Sequence, residues 1–407
     1  MTNYNSPKFL LRLNSNYALI QAAYWCAFCM MYSFSTVYLT HKGFSDTQIG
    51  ITVSIIGLLN IALQLSVSSF TDSHGGIPIK KIIGTIYIIS ILLAALMSFV
   101  PMLPAMLMIV FTVAAATQNS INSMINAMIG QYNENGIDAT YGWPRGVGSL
   151  AYSILAFFGG IIVDKYSPEV LPRLFILFAL TMLAAVLLMP DPYKLTGNLR
   201  AAGGKKKTSS TSLKDMLLKN PILLVFLFAV LVNSAGQVAT NTFLIRIIEK
   251  LGGNARTLGT CMLIQAGVEF PVMIMSSFIF RRFKPRYLLL VSFISFTIKM
   301  MALAYAPNMG VVYGAMAFSI FCFGLFGVTV VIFINRIVGI TEKVRGQAMV
   351  SVFGSFGAML SNAVSGRMID KIGLHAQLTM SWIACGFAAV LMLVCVLMIN
   401  KRFGRDY

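Results

Sequence analysis

Charge is scarce in this chain and acidic charge scarcest: charged residues are 11% of the 407, with 13 Asp and Glu against 31 Lys and Arg. Histidine occurs three times, at His41, His74 and His375, each expected in a loop or at the end of a hydrophobic run. That placement argues against a buried histidine-ligated metal. The six cysteines (Cys26, Cys29, Cys261, Cys322, Cys385 and Cys395) all fall inside apolar runs. Cys26 and Cys29 have the spacing of a redox or metal pair, yet no His or acid stands near them, so packing is the expectation. No metal and no cofactor are expected. An intramembrane hydrolase would need a nucleophile with its base, paired acids or a metal cluster, and one embedded acid supplies none of these.

What the chain has in excess is hydrophobic length. Apolar residues make up 57% of it, with a mean hydropathy of +0.79, which no soluble domain of this size would tolerate. Runs of roughly 20 apolar residues, enough to cross a hydrocarbon core, recur from end to end. They predict an all-α integral membrane protein of 12 transmembrane helices. The first six runs are Tyr17–Leu39, Ile49–Phe70, Ile82–Val100, Met106–Gly130, Thr140–Val163 and Leu174–Met189. The second six are Ile222–Ile245, Leu258–Phe280, Tyr287–Ala306, Gly310–Ile334, Ala348–Ile369 and Leu378–Ile399. The first run lacks a small-residue cleavage pattern and is followed by many more, so a removable signal peptide is not expected.

A net charge of +18 would suggest a nucleic-acid partner in a soluble protein, but placement along the chain decides otherwise. With the N-terminus inside, 21 Lys and Arg fall in cytoplasmic segments and 8 in outer ones, with Arg145 and Lys299 left within spans. This bias orients the bundle with both termini cytoplasmic, and no nucleic acid is needed to explain the excess. The one long polar segment, Pro190 to Asn220, contains the run Gly203–Ser212 and reads as a flexible basic linker. The expected organisation is therefore a six-helix bundle over 1–189, a cytoplasmic linker over 190–220 and a second bundle over 221–407. Paired six-helix repeats around a midplane site are a transporter architecture.

Polar residues inside the spans follow helical spacing. Gln118, Asn122 and Asn126 share one face of the fourth run, and Asn233, Gln237 and Asn241 repeat the four-residue spacing in the seventh. Lipid offers these amides no partners, so they face other helices or water, as interhelical glue or as a cavity wall that recognises hydroxyl groups. Asn60 and Gln64 form a shorter stripe with the same two readings. Arg145 is either a positive-inside anchor or a planar fork for a hydroxyl pair or carboxylate. Glu269 and Lys299 are a lone acid and a lone base at membrane depth, either a structural ion pair or a proton-coupling pair. The other twelve acids fall in loops or at span ends, which leaves Glu269 as the evident embedded proton acceptor.

Several motifs then converge. Asp72 in Phe70-Thr-Asp-Ser-His-Gly-Gly-Ile-Pro-Ile-Lys-Lys81 resembles a degenerate form of the signature loop between the second and third helices of the major facilitator superfamily, with Ser73 where a basic residue is usual. Tyr141-Gly-Trp-Pro-Arg-Gly-Val-Gly-Ser-Leu-Ala-Tyr152 is similar to the start of the fifth helix in lactose permease and its oligosaccharide-symporter relatives. Nucleoside:proton symporters and phenylpropionate-permease-like proteins carry a similar segment. The resemblance puts Arg145 in the place of a sugar-binding arginine, Glu269 of Gly267-Val-Glu-Phe-Pro271 in that of a substrate glutamate, and Lys299 in that of a ninth-helix arginine. Gly346-Gln-Ala-Met349 through Ser365-Gly-Arg-Met-Ile-Asp-Lys-Ile-Gly373 resembles the eleventh-helix region. The departures matter as well. Asn122 and Asn126 stand where lactose permease has a fourth-helix glutamate, Gln237 and Asn241 stand near its seventh-helix aspartates, and the tenth run lacks its histidine and glutamate. Galactoside specificity does not carry over.

The expected function is a monomeric secondary transporter in a bacterial inner membrane, importing a sugar, nucleoside or related metabolite by alternating access. The substrate site would comprise Asn122, Asn126, Arg145, Gln237, Asn241 and Glu269, with Glu269 and Lys299 in proton coupling and Asp72 in a conformational loop. A proton as coupling ion follows from the resemblance. The alternative is drug or metabolite efflux by proton antiport, whose fifth-helix Gly-Pro pattern is not found between Gly146 and Gly160.

Overall fold

The computed structural model describes residues 4–73, 78–197, 220–338 and 342–403. Every regular element among them is helical. Helix α1 (Pro7–Phe28) runs through a π-turn (Cys29–Ser33) into α2 (Ser35–His41), and α3 (Asp46–Ser73), α4 (Ile79–Phe99), α5 (Pro104–Glu134), α6 (Gly142–Tyr166), α7 (Val170–Leu188) and α8 (Pro192–Thr196) follow. Then come α9 (Pro221–Thr242), α10 (Leu244–Lys250), α11 (Ala255–Arg282), α12 (Pro285–Ala304) and α13 (Met309–Ala317). A 3₁₀ turn (Phe318–Ile320), α14 (Phe323–Ile337), α15 (Lys343–Lys371) and α16 (Leu374–Phe403) complete the chain. Proline occupies the first turn of α1, α5, α9 and α12, where its missing N–H costs nothing and its fixed φ suits a helix. Asn308 caps α13 by accepting the Val311 N–H at 3.2 Å.

Ten helices among the described residues are long and apolar enough to cross a membrane. The two sequence runs outside that set lie on the π-interrupted α1–α2 segment and on α11, which carries Gln265, Glu269 and Pro271. Most of the basic linker, residues 198–219, lies outside the described residues.

The chain forms two compact units, one of Met1–Phe44 with Ile55–Lys205 and the other of Ser45–Ser54 with Lys206–Tyr407. In the first, α1 packs on α6 and α7, and α4 packs on α5 and α7. Gly148 permits the α1–α6 contact: a Cβ there would lie 2.8 Å from Trp25 Cδ1 and 3.1 Å from the Gln21 carbonyl oxygen. In the second, α9 packs on α15 and α16, and α12 on α14 and α16. Phe226, Leu227, Phe293, Phe333, Met392 and Val396 form its buried core, with the Phe226 and Phe333 ring centroids 4.7 Å apart. On α15, a Cβ at Gly357 would collide with the Leu231 carbonyl oxygen of α9, and nearby Ser361 Oγ donates to the Ala235 carbonyl. Small residues at such crossings let membrane helices approach backbone to backbone.

Candidate substrate site

In the first unit, polar side chains of α1, α5 and α6 join into one network. Gln21, fully buried on α1, donates through Nε2 to the Tyr17 hydroxyl at 2.8 Å and to Asn126 Oδ1 of α5 at 3.4 Å. Its Oε1 accepts the Trp25 indole N–H at 3.3 Å. The Trp25 ring is further held edge-on by Tyr24, Phe28 and Tyr152. Over that ring lies the guanidinium of Arg145, its Cζ 4.3 Å from the centroid, while Nη1 donates to Ser149 Oγ at 2.7 Å. Cation–π attraction strengthens where water is excluded.

Two of the expected site residues, Asn126 and Arg145, are thus linked through Gln21 and Trp25. Asn122 lies one turn from Asn126, and its Oδ1 and that of Asn119 are buried with no hydrogen-bond partner among the described residues. Each such acceptor carries a desolvation cost of about 1–3 kcal/mol until a donor reaches it. Gln118 is buried and donates to the Tyr24 carbonyl at 3.3 Å, a bond between helices. Asn60 accepts from Gln64 at 3.1 Å within α3. The side chain of Asp72 lies outside the described residues.

Tyr17, Gln21 and Trp25 did not enter the expected site, although they follow the same four-residue spacing as the amide stripes. Applying that rule to the first run would have found Gln21. The stacking of Arg145 on Trp25 is a contact between elements, and no local spacing encodes it.

In the second unit, Asn241 Nδ2 donates to Gln237 Oε1 at 2.9 Å on α9, and Asn233 is buried one turn before Gln237. Lys299 of α12 is fully buried, and its Nζ donates to Ser319 Oγ at 2.8 Å and Gln265 Oε1 at 3.2 Å. The ammonium also sits 5.2 Å from the centroid of Phe323. The hydrogen bonds of Lys299 therefore go to neutral groups rather than to Glu269. Glu269 is half-buried four residues beyond Gln265, on the same face of α11. Pro271 lies within α11 just past Glu269 and, lacking an N–H, cannot engage the Gly267 carbonyl. Membrane helices tolerate such breaks where the freed group finds another partner.

All six cysteines are buried and free of disulfides. Among the described residues no cluster of three or more His, Cys, Asp or Glu side chains is arranged to hold a metal.

No curated protein matches the chain in sequence. The nucleoside transporter NupG is similar in structure, with a TM-score of 0.78 at 15% identity over 95% of this chain and 99% of that one. A bacterial homolog of the human lysosomal transporter Spinster gives 0.70 at 12% identity, over 97% of this chain and 98% of its own. The peptide transporter POT gives 0.69 at 10% identity, over 100% and 96%. The model of the MFS_1 like family matches residues 15–380, and the chain belongs to that family within the major facilitator superfamily of membrane transporters.

Proposed function

We propose that the protein is a secondary active transporter that moves a small polar solute, a sugar, nucleoside or related metabolite, by alternating access and in symport with protons. The chain crosses a bacterial inner membrane twelve times as bundles 1–189 and 221–407 joined by the cytoplasmic linker 190–220, with both termini inside, and works as a monomer. Asn122, Asn126, Arg145, Gln237, Asn241 and Glu269 contact the solute. Glu269 and Lys299 carry the coupling, and Asp72 acts in the conformational loop.

The observation that carries this reading is the contact chain from Tyr17 through Gln21 and Trp25 to Arg145. Polar side chains cost too much in an apolar unit to be kept without partners or use, and structural glue does not require a guanidinium held over an indole ring. The likeness in fold to transporters of nucleosides and peptides agrees with a polar cargo. Lys299 adds a means of coupling. Its ammonium is bound to Gln265, one turn from Glu269, so exchange between amide and carboxylate along α11 would change the proton affinity of Glu269.

Thermal-stability screening of the purified protein against sugars, nucleosides, aromatic acids and lipophilic cations tests the substrate class. A ligand at 100 times its Kd stabilises the fold by about 2.7 kcal/mol. Stabilisation by a polar solute that is lost in Glu269→Gln supports the reading, whereas stabilisation by lipophilic cations alone moves efflux to the front. Proton-driven uptake into liposomes that persists unchanged in Glu269→Gln overturns the assignment of coupling.

A further inference from the structure

The surroundings of Arg145 bear on the charge of the solute. Its side chain is half-buried at the start of α6, and its hydrogen bond to Ser149 reaches a residue one turn further into the span. Side chains of a helix lean toward its N-terminus, and an arginine serving as an interfacial anchor extends the same way, out to the headgroups. Arg145 is folded in the opposite direction, onto Trp25. Arginine cannot shed its charge in a protein, and its planar fork offers five N–H donors. Among the described residues one of them is used, by Ser149, and no carboxylate pairs with the guanidinium. Its neighbours are an indole, a hydroxyl and, through Trp25, the neutral amides of Gln21 and Asn126. On the same helix as Asn126, the buried acceptors Asn119 Oδ1 and Asn122 Oδ1 complement donors rather than charge.

We propose that the solute carries an anionic oxygen group, a carboxylate or a phosphate, which the open edge of Arg145 takes as its counter-ion while Trp25 holds the guanidinium plane. The adjoining amides then bind hydroxyl or N–H groups on the rest of the molecule. Trp25 and Gln21 are positioning residues in this arrangement: Gln21 fixes the indole and the indole fixes the fork. The inference rests on the reading of this cluster as a substrate site.

The test uses the purified full-length protein, three matched ligand sets built on a hexose, a ribonucleoside and an arylpropane, each as neutral alcohol, carboxylate and phosphate, and a set of lipophilic cations. Charge-assisted bidentate bonds make the anionic member of the recognised set bind on the order of tenfold more tightly than its neutral partner. Arg145→Gln is expected to erase that preference, and Arg145→Lys to keep it at reduced affinity. Whether the carboxylate or the phosphate wins names the group. The preference within a set is read on the wild-type protein, so it stands even if the variants fail to fold. Neutral and anionic members binding equally would overturn the anionic solute and leave the polar-solute transporter intact. Stabilisation by lipophilic cations alone would overturn both.

Discussion

The guanidinium of Arg246 grips the carboxylate of Asp46 through two nitrogens, Nη2 at 2.7 Å and Nε at 2.9 Å from Oδ1. Asp46 opens α3, and the Asp370 carboxylate accepts the backbone N–H groups of Asp46 and Thr47 at 3.2 and 2.7 Å. An anion over the exposed N–H groups of a helix start satisfies them and complements the helix dipole. All four residues belong to the second compact unit. Asp46→Ala removes this bidentate pair while the Arg246–Glu249 contact at 3.0 Å stays, and is expected to cost about 1–3 kcal/mol. Asp370→Ala removes the cap and is expected to cost about 1 kcal/mol. Thermal unfolding of the purified variants checks both, and an unchanged melting temperature for Asp46→Ala would show that the pair contributes nothing.

Trp25→Ala removes the plate under Arg145 and is expected to raise the KM for uptake about tenfold or more at similar expression, while Trp25→Phe keeps a ring and most of the affinity. Gly148→Ala acts on the same site indirectly, because the new methyl group meets Trp25 Cδ1 at 2.8 Å and must displace it. Initial uptake rates over a range of solute concentrations separate the weakened binding expected here from slowed turnover.

Lys299 can be divided into charge and packing. Lys299→Met keeps the volume and removes the charge but leaves the Ser319 and Gln265 groups unmatched, so it is expected to cost about 1–3 kcal/mol. Lys299→Ala leaves a cavity as well as the unmatched Ser319 and Gln265 groups and is expected to cost about 2–5 kcal/mol. Both variants are expected to lose proton-driven accumulation while retaining solute exchange, which counterflow in liposomes measures.

Two glycines three residues apart on α15 should respond differently to alanine. A methyl group at Gly357 runs into the Leu231 backbone, so Gly357→Ala is expected to destabilise the second unit by about 1–3 kcal/mol. At Gly354 the nearest atom to a new Cβ is Ser234 Oγ at 3.4 Å, ordinary contact, and Gly354→Ala should be tolerated. Comparing their melting temperatures tests the close crossing of α9 and α15 without touching the proposed site.

Hydrophobic length and four-residue spacing are local properties of a chain, and they made the helical membrane class readable from residue order alone. The same spacing marks the amide stripes, and the isolation of Arg145, Glu269 and Lys299 in apolar runs singles them out before any fold is known. The π-turn at Cys29–Ser33 and the 3₁₀ turn at Phe318–Ile320 were not legible, because nothing as strong as a proline marks them and each depends on how neighbouring helices pack. Partner choice was not legible either. Lys299 is bonded to Gln265 and Ser319 rather than to the acid that sequence singles out, and Arg145 lies on Trp25, 120 positions away along the chain. A side chain's demand for a partner is written in its own chemistry and its apolar surroundings. Which group meets that demand follows from the helix crossings, and those are set by backbone approach at small residues such as Gly148 and Gly357 far apart in the chain.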